Sequence, residues 1–122
     1  MDARALVRWQ ALGRLAIGTG LVVVPGAVAG GWVGGVADRR EGQALAIGLG
    51  ARDVALAAGA LRALGTRHGA GAWVRAGMLA DAADLFATLR ARDSLPPLAL
   101  PAVVALAGGS LLLGAWLQAA SD

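Results

Sequence analysis

The sequence predicts an all-α protein, specifically a four-helix transmembrane bundle. Hydrophobic residues make up 57% of the chain, whose mean hydropathy is +0.64, whereas soluble domains are typically about 45–50% apolar. Polar breaks divide the chain into four apolar segments, each close to the ~20 residues that a helix needs to cross a bilayer. The 19 glycines favour the same fold, because small residues let membrane helices approach closely.

The first two predicted helices are separated by a glycine-rich stretch. The first helix covers about residues 5–24 and ends where Pro25 interrupts it. Residues 26–37 are apolar but too rich in glycine for a good helix, so we expect them to be irregular or to lie at the membrane interface. The second helix covers about residues 42–64 and follows the polar sequence DRRE.

The last two predicted helices differ strongly in polarity. The third, about residues 70–90, is the least hydrophobic segment because it contains Arg75, Asp81 and Asp84. The fourth, about residues 98–118, contains no charged residue. Taken alone, only the fourth segment has the composition of an ordinary spanning helix.

Tryptophan placement supports this division of the chain. Each tryptophan falls near a predicted segment end, and amphipathic indole rings concentrate at the level of lipid headgroups. Core tryptophans of a soluble bundle would instead lie at mid-segment. The predicted interface anchors are Trp9, Trp32, Trp73 and Trp116.

Charged residues near the centres of the apolar segments form the candidate site. A charge at the bilayer centre costs roughly 2.5–3.5 kcal/mol, so such residues persist where they pair or line a polar cavity. Because they fall at similar depths, we expect one cluster that ties three neighbouring helices together. Its predicted members are Arg14, Arg52, Asp53, Asp81 and Asp84.

Two packings of this cluster are open. One arginine is expected to bind Asp53 and the other to bind the helix face shared by Asp81 and Asp84. Two arginines against three carboxylates leave one excess negative charge. We therefore expect one carboxyl group to stay protonated, with Asp81 and Asp84 sharing the proton. The leading interpretation is an electrostatic clamp that fixes helix register, and the alternatives are a polar ligand site and a proton relay.

Composition and spacing argue against several function classes. The chain has no cysteine, and the lone His68 has no partner for a metal site or a Ser-His-Asp set. The net charge is +3, but the arginines form no basic stripe, so nucleic-acid binding is not expected. The aspartates do not have the spacing of CDP-alcohol phosphotransferases, and no nucleotide-binding loop is present. We expect no enzymatic activity, no metal and no cofactor.

Two segments resemble a known family. Residues 50–59 (GARDVALAAG) and 75–85 (RAGMLADAADL) are similar to the second and third helices of small, uncharacterised bacterial integral membrane proteins classed as a domain of unknown function. Here Ala57-Ala58 replaces one expected glycine, and the spacing from Arg75 to Asp81 is longer, which places Arg75 at a loop edge. The resemblance implies a four-helix protein of the bacterial inner membrane and implies no reaction.

The orientation rests on a small difference in arginine count. The amino terminus and the second loop together carry as many arginines as the first and third loops, four against four. Arg75 tips the balance toward both termini in the cytoplasm. A cleavable signal peptide is an alternative for the first segment, because arginines precede an apolar run and residues 27–29 (AVA) match a cleavage site.

The expected function is that of a small, non-enzymatic membrane protein. Its partners would be membrane lipids, another protein or a second copy of the chain. A small proton-coupled transporter or permeation unit is the second hypothesis. A lipid-modifying enzyme that uses Asp81 and Asp84 is the third.

Overall fold

The computed structural model describes residues 2–121, which are 88% helical and contain no β-strand. This confirms the all-α prediction. The first four of the five helices in this range are α1 (Ala3–Val23), α2 (Pro25–Val33), α3 (Arg40–Ala63) and α4 (Gly71–Ala91).

The fifth helix, α5, is continuous but not uniform. It consists of α-helical Ala99–Val103, a π-helical turn at Val104–Gly108 and α-helical Gly109–Ser121. Its amino-terminal end lies against both α2 and α4, and the rest of the helix continues along α4. The turn therefore lies inside the packed part of the helix.

Two to three helices in the described range could span a membrane. By length and composition, α3 qualifies, and so does α5 over Ala99–Ala120. The expectation that only the last segment has the composition of a spanning helix is therefore wrong for α3. The pair α1 and α2 qualifies as a third only if it is taken as one broken span, because the chain bends by 108° between them. Helix α4 does not qualify by itself. The composition of these helices favours a membrane location.

The segment after α1 differs from the sequence-based expectation. Residues 26–37 were expected to be irregular or interfacial, but they form most of α2 and a 3-10 turn at Gly34–Asp38. Pro25 ends α1 and begins α2, since a proline at the first helical position loses no hydrogen bond. Contacts with α1 and α3 stabilise α2, which outweighs the low helix propensity of its glycines.

Helices α1 and α3 form the most extensive helix pair. They cross with their backbones in contact, because a Cβ added at Gly18 would lie 2.8 Å from the carbonyl oxygen of Gly50. A Cβ at Gly50 would likewise lie 2.6 Å from the carbonyl oxygen of Gly18. Arg14 lies one turn before Gly18, and Asp53 lies one turn after Gly50. This crossing therefore brings the two charged residues face to face.

Apolar clusters lie on both sides of that crossing. One cluster joins the start of α1 and α4 to the end of α3 and α5, and it contains Val7, Ala63, Leu64, Ala70, Val74 and Leu117. The other lies near the bend between α1 and α2 and contains Leu21, Ala29, Ala37 and Ala46. The charged residues of α1, α3 and α4 fall between these two apolar layers.

We expect Gly50→Ala to lower the free energy of unfolding by about 1–3 kcal/mol, the usual cost of overpacking. The added methyl group would collide with the backbone of α1. Gly48→Ala is the matched control, because a Cβ at Gly48 meets nothing within 4 Å and alanine favours the helix. Thermal unfolding in detergent, followed by circular dichroism, measures both. Equal melting temperatures for the two variants would contradict the close contact of α1 and α3.

Candidate functional site

Arg14 of α1 binds carboxylates from two other helices. Its Nη1 donates to Oδ1 of Asp53 on α3 at 3.3 Å, and its Nη2 donates to Oδ2 of Asp81 on α4 at 2.7 Å. The side chains are 12%, 10% and 9% exposed, respectively. Charge-assisted hydrogen bonds of this kind are the strong ones in a protein interior. Arg14 therefore ties α1 to both α3 and α4.

Arg52 of α3 binds α4 through a two-pronged contact. Its Nη1 and Nη2 donate to Oδ1 and Oδ2 of Asp84 at 2.9 and 2.8 Å. Its Nε and Nη2 also donate to Oδ1 of Asp53 at 3.2 and 3.0 Å. A planar guanidinium can hold two carboxylates in this way, whereas a lysine ammonium cannot.

The structure brings all five predicted charged residues into one ion-pair network. Every ion pair among residues 2–121 belongs to it. The contacts of one expected packing are present, since Arg14 binds Asp53 and Arg52 binds Asp84. In addition, Arg14 binds Asp81 and Arg52 binds Asp53, so each arginine takes one carboxylate of α4 and both share Asp53. Asp81 and Asp84 bind different guanidinium groups, and the proton shared between them stays a prediction.

The shared contact with Asp53 has a simple geometric origin. Arg52 and Asp53 are adjacent on α3, so their Cα–Cβ bonds diverge by about 100° and point toward different neighbours. Arg52 reaches Asp84, and Asp53 accepts from Arg14. The long arginine side chain, however, also folds back onto the neighbouring carboxylate.

Two carboxylate oxygens of the network are left unpaired. Within residues 2–121, Oδ2 of Asp53 and Oδ1 of Asp81 have no hydrogen-bond partner. Fully enclosed side-chain nitrogen or oxygen atoms without a partner do not occur in this part of the chain. Both oxygens therefore reach open space, and both residues line the same cavity.

This cavity has a volume of about 290 Å³ and touches all five helices. Its polar wall is the ion-pair network. Lining residues on α1 and α5, Trp9 and Leu106, are 64% and 63% exposed, so the cavity opens between these two helices. The rest of its wall is mostly apolar and consists of Trp9, Gln10, Gly13, Ile17, Leu21, Val28, Trp32, Leu49, Val103, Leu106, Ala107 and Ser110.

Gln10 and Ser110 are polar wall residues that the sequence analysis missed. Nε2 of Gln10 donates to Oγ of Ser110 at 2.7 Å, which joins α1 to α5 across the cavity wall. Gln10 lies four residues before Arg14, on the same face of α1. That spacing is the signal that could have identified it.

Thr88 and Trp32 form a second polar contact that the sequence analysis did not predict. The fully buried Thr88 hydroxyl accepts from Nε1 of Trp32 at 2.9 Å and donates to the carbonyl oxygen of Asp84 at 2.8 Å. Thr88 lies four residues after Asp84 and continues the polar face of α4. The contact fixes the Trp32 indole beside the network.

The four tryptophans occupy different surroundings. Trp9 and Trp32 line the cavity, Trp73 packs against the backbone of Gly59, and Trp116 is exposed near the end of α5. The indole N–H of Trp32 is satisfied inside the protein. The assignment of these residues as interface anchors stays a prediction.

Two residues considered for chemistry lie away from the network. His68 is exposed in the turn between α3 and α4, and Arg75 donates to Oε1 of Gln118 at 2.9 Å. No group of three or more metal-binding side chains is present among residues 2–121. The chemistry of the site is that of paired guanidinium and carboxylate groups beside a cavity.

No family model, curated protein or solved structure matches this chain. The resemblance of residues 50–59 and 75–85 to small bacterial membrane proteins stays a prediction. The function is therefore inferred from the ion-pair network and its cavity.

We expect Arg14→Ala to lower the free energy of unfolding by about 3–5 kcal/mol, the usual effect of breaking a buried ion pair. Asp53 would keep one arginine and Asp81 would have none. Thermal or denaturant unfolding in detergent measures the loss. Arg75→Ala is the matched control and should change stability by less than about 0.5 kcal/mol, since its contact is exposed. Similar losses in both variants would show that the network does not clamp the helices.

Proposed function

We propose that the protein is a non-enzymatic integral membrane protein with four spanning helices, which binds a small amphiphile or another partner at its cavity. The spans are α1, α3, α4 and α5. The observation that carries this proposal is the pairing of both α4 carboxylates with arginines of other helices. The resemblance to small bacterial membrane proteins supports a place in the inner membrane, with both termini in the cytoplasm.

Helix α4 is the span that needs explanation, because it carries charges at its centre. Asp81 and Asp84 point into the protein and are paired there, so their charges are not presented to lipid. Leu79 and Phe86 of the same helix are exposed. Charged groups inside and large apolar groups outside are typical of a helix that packs in a bilayer.

The other long helices also present apolar side chains on their outer faces. Leu45 of α3, Leu106 and Leu112 of α5, and Ile17 of α1 are all exposed apolar side chains. Such surfaces are costly in water when they are contiguous. In a bilayer they are the lipid-facing surface, which favours four spans over a soluble bundle.

A binding role follows from how the network is used. Each arginine and each carboxylate makes at least one ion pair, so the aspartates are held as structural partners rather than presented as free bases. The cavity beside them has room for a guest and opens between α1 and α5. We therefore favour binding over catalysis.

Proton-coupled transport is a second candidate function. Asp53 and Asp81, each with one unpaired carboxylate oxygen, line the cavity, and the network carries one excess negative charge. An Asp81→Asn variant that stays folded but loses a proton-dependent flux in proteoliposomes would favour transport. A variant that loses only stability would favour the clamp.

The number of spans can be tested with single cysteines, because the chain contains none. With four spans, His68 and Ser94 lie on opposite sides of the membrane. We expect a membrane-impermeant maleimide added to intact cells to label Ser94→Cys. His68→Cys should be labelled only after permeabilisation. Both positions are exposed turns, so access to the thiol is not limited by burial.

The unsubstituted chain is the control and should remain unlabelled under both conditions. Labelling of both cysteines from the same side would mean that α4 does not span, which contradicts the proposal. The reversed pattern would keep four spans and overturn only the orientation.

A further inference from the structure

We propose that the cavity binds a small monovalent organic cation with an apolar body, held by the Asp53 and Asp81 carboxylates. This rests on the proposed membrane location and names the ligand class of the same cavity.

The charge of the network favours a guest with one positive charge. Arg14 and Arg52 face three carboxylates, and all ion pairs of the described residues are among these five groups. With every group ionised, the site carries one unbalanced negative charge. In a medium of low dielectric constant, an unbalanced charge is far more costly than in water. A guest with one positive charge would neutralise it.

The unpaired carboxylate oxygens also favour a cation. Oδ2 of Asp53 and Oδ1 of Asp81 have no partner in residues 2–121, and both residues line the cavity. Carboxylate oxygens accept hydrogen bonds and attract positive charge, but they donate nothing when ionised. Arg14 keeps free N–H groups, yet the net charge of the network opposes an anion.

The apolar lining of the cavity favours an organic cation over an inorganic ion. Beyond the network it is apolar, and it includes the indoles of Trp9 and Trp32. Organic cations are attracted to tryptophan rings, most strongly when water is excluded. The bond from Trp32 to Thr88 holds one ring beside Asp84. An inorganic ion would gain nothing from this apolar surface, whereas an organic cation would.

The opening and the size of the cavity favour a small, lipophilic guest. The exposed lining residues Trp9, Ile17 and Leu106 lie along the sides of α1 and α5 rather than in the turns between helices, so the cavity opens sideways toward lipid when both helices span the membrane. A guest would therefore arrive through the lipid and must be lipophilic. A volume of about 290 Å³ lies just below the roughly 300–1,000 Å³ of small-molecule pockets, which favours a small cation over a whole phospholipid.

Three probes of nearly the same shape test the proposal. Benzyltrimethylammonium is the cation, neopentylbenzene is its neutral carbon isostere, and phenylmethanesulfonate is an anion of similar size. Isothermal titration calorimetry would be performed with the purified full chain in a nonionic detergent. We expect the cation to bind at one site per chain, at least about tenfold more tightly than either other probe, as expected when charge pairing adds to apolar burial.

Variants then locate the site. Asp81→Asn keeps a carbonyl oxygen for Arg14 but removes the excess charge, and it should weaken cation binding by roughly tenfold or more. Asp93→Asn removes a negative charge in an exposed turn and should leave the affinity unchanged. If Asp81→Asn fails to fold, Trp32→Leu serves instead, with an expected loss of about three- to tenfold and with the exposed Trp116→Phe as its control.

Each alternative result overturns the proposal. Equal affinity for the neutral isostere would make the cavity a purely apolar site. Tighter binding of the anion would mean that the Arg14 donors dominate. Absence of cation binding to a folded protein would leave a proton as the balancing charge. The cysteine labelling distinguishes these failures from a failure of the membrane proposal, because it is independent of any ligand.

Discussion

The contact on which the structure depends is the acceptance of both guanidinium groups by Oδ1 of Asp53. It joins the two ion pairs that hold α4 against α1 and α3. The contact exists because Gly18 and Gly50 allow those two backbones to touch. These two glycines thus determine where Arg14, Arg52 and Asp53 meet. The ion pairs connect α1, α3 and α4 directly.

The surroundings of the network explain how it can be buried. Apolar clusters lie at both of its ends, which lowers the local dielectric constant and strengthens the attraction between the partners. The long helices present large apolar side chains outward. Around the network, charged groups therefore lie inside and large apolar side chains lie outside, and at the cavity the charged layer meets open space beside an apolar wall.

The sequence predicted the parts of this arrangement that depend on single residues. Charges within apolar helices are conspicuous, so Arg14, Arg52 and the three aspartates could be found without a structure. The sharing of Asp53 could not, because it depends on how the Arg52 side chain folds back. Helix α2 was missed because its stability comes from neighbouring helices rather than from its own glycine-rich residues. The cavity depends on the gap between α1 and α5, and no pattern within one helix reports such a gap.

The π-helical turn of α5 affects the rotational position of the residues that follow it. A π turn contains one residue more than the α-helix it replaces, and such turns often occur at functional sites. Resolving Val104–Gly108 into regular α-helix would rotate the following segment by about 100° about its axis. That rotation would carry Ser110 away from Gln10 and Leu117 out of the apolar cluster that it shares with α1, α3 and α4. The one extra residue of the turn therefore sets which side chains the second half of α5 presents to α1 and α4.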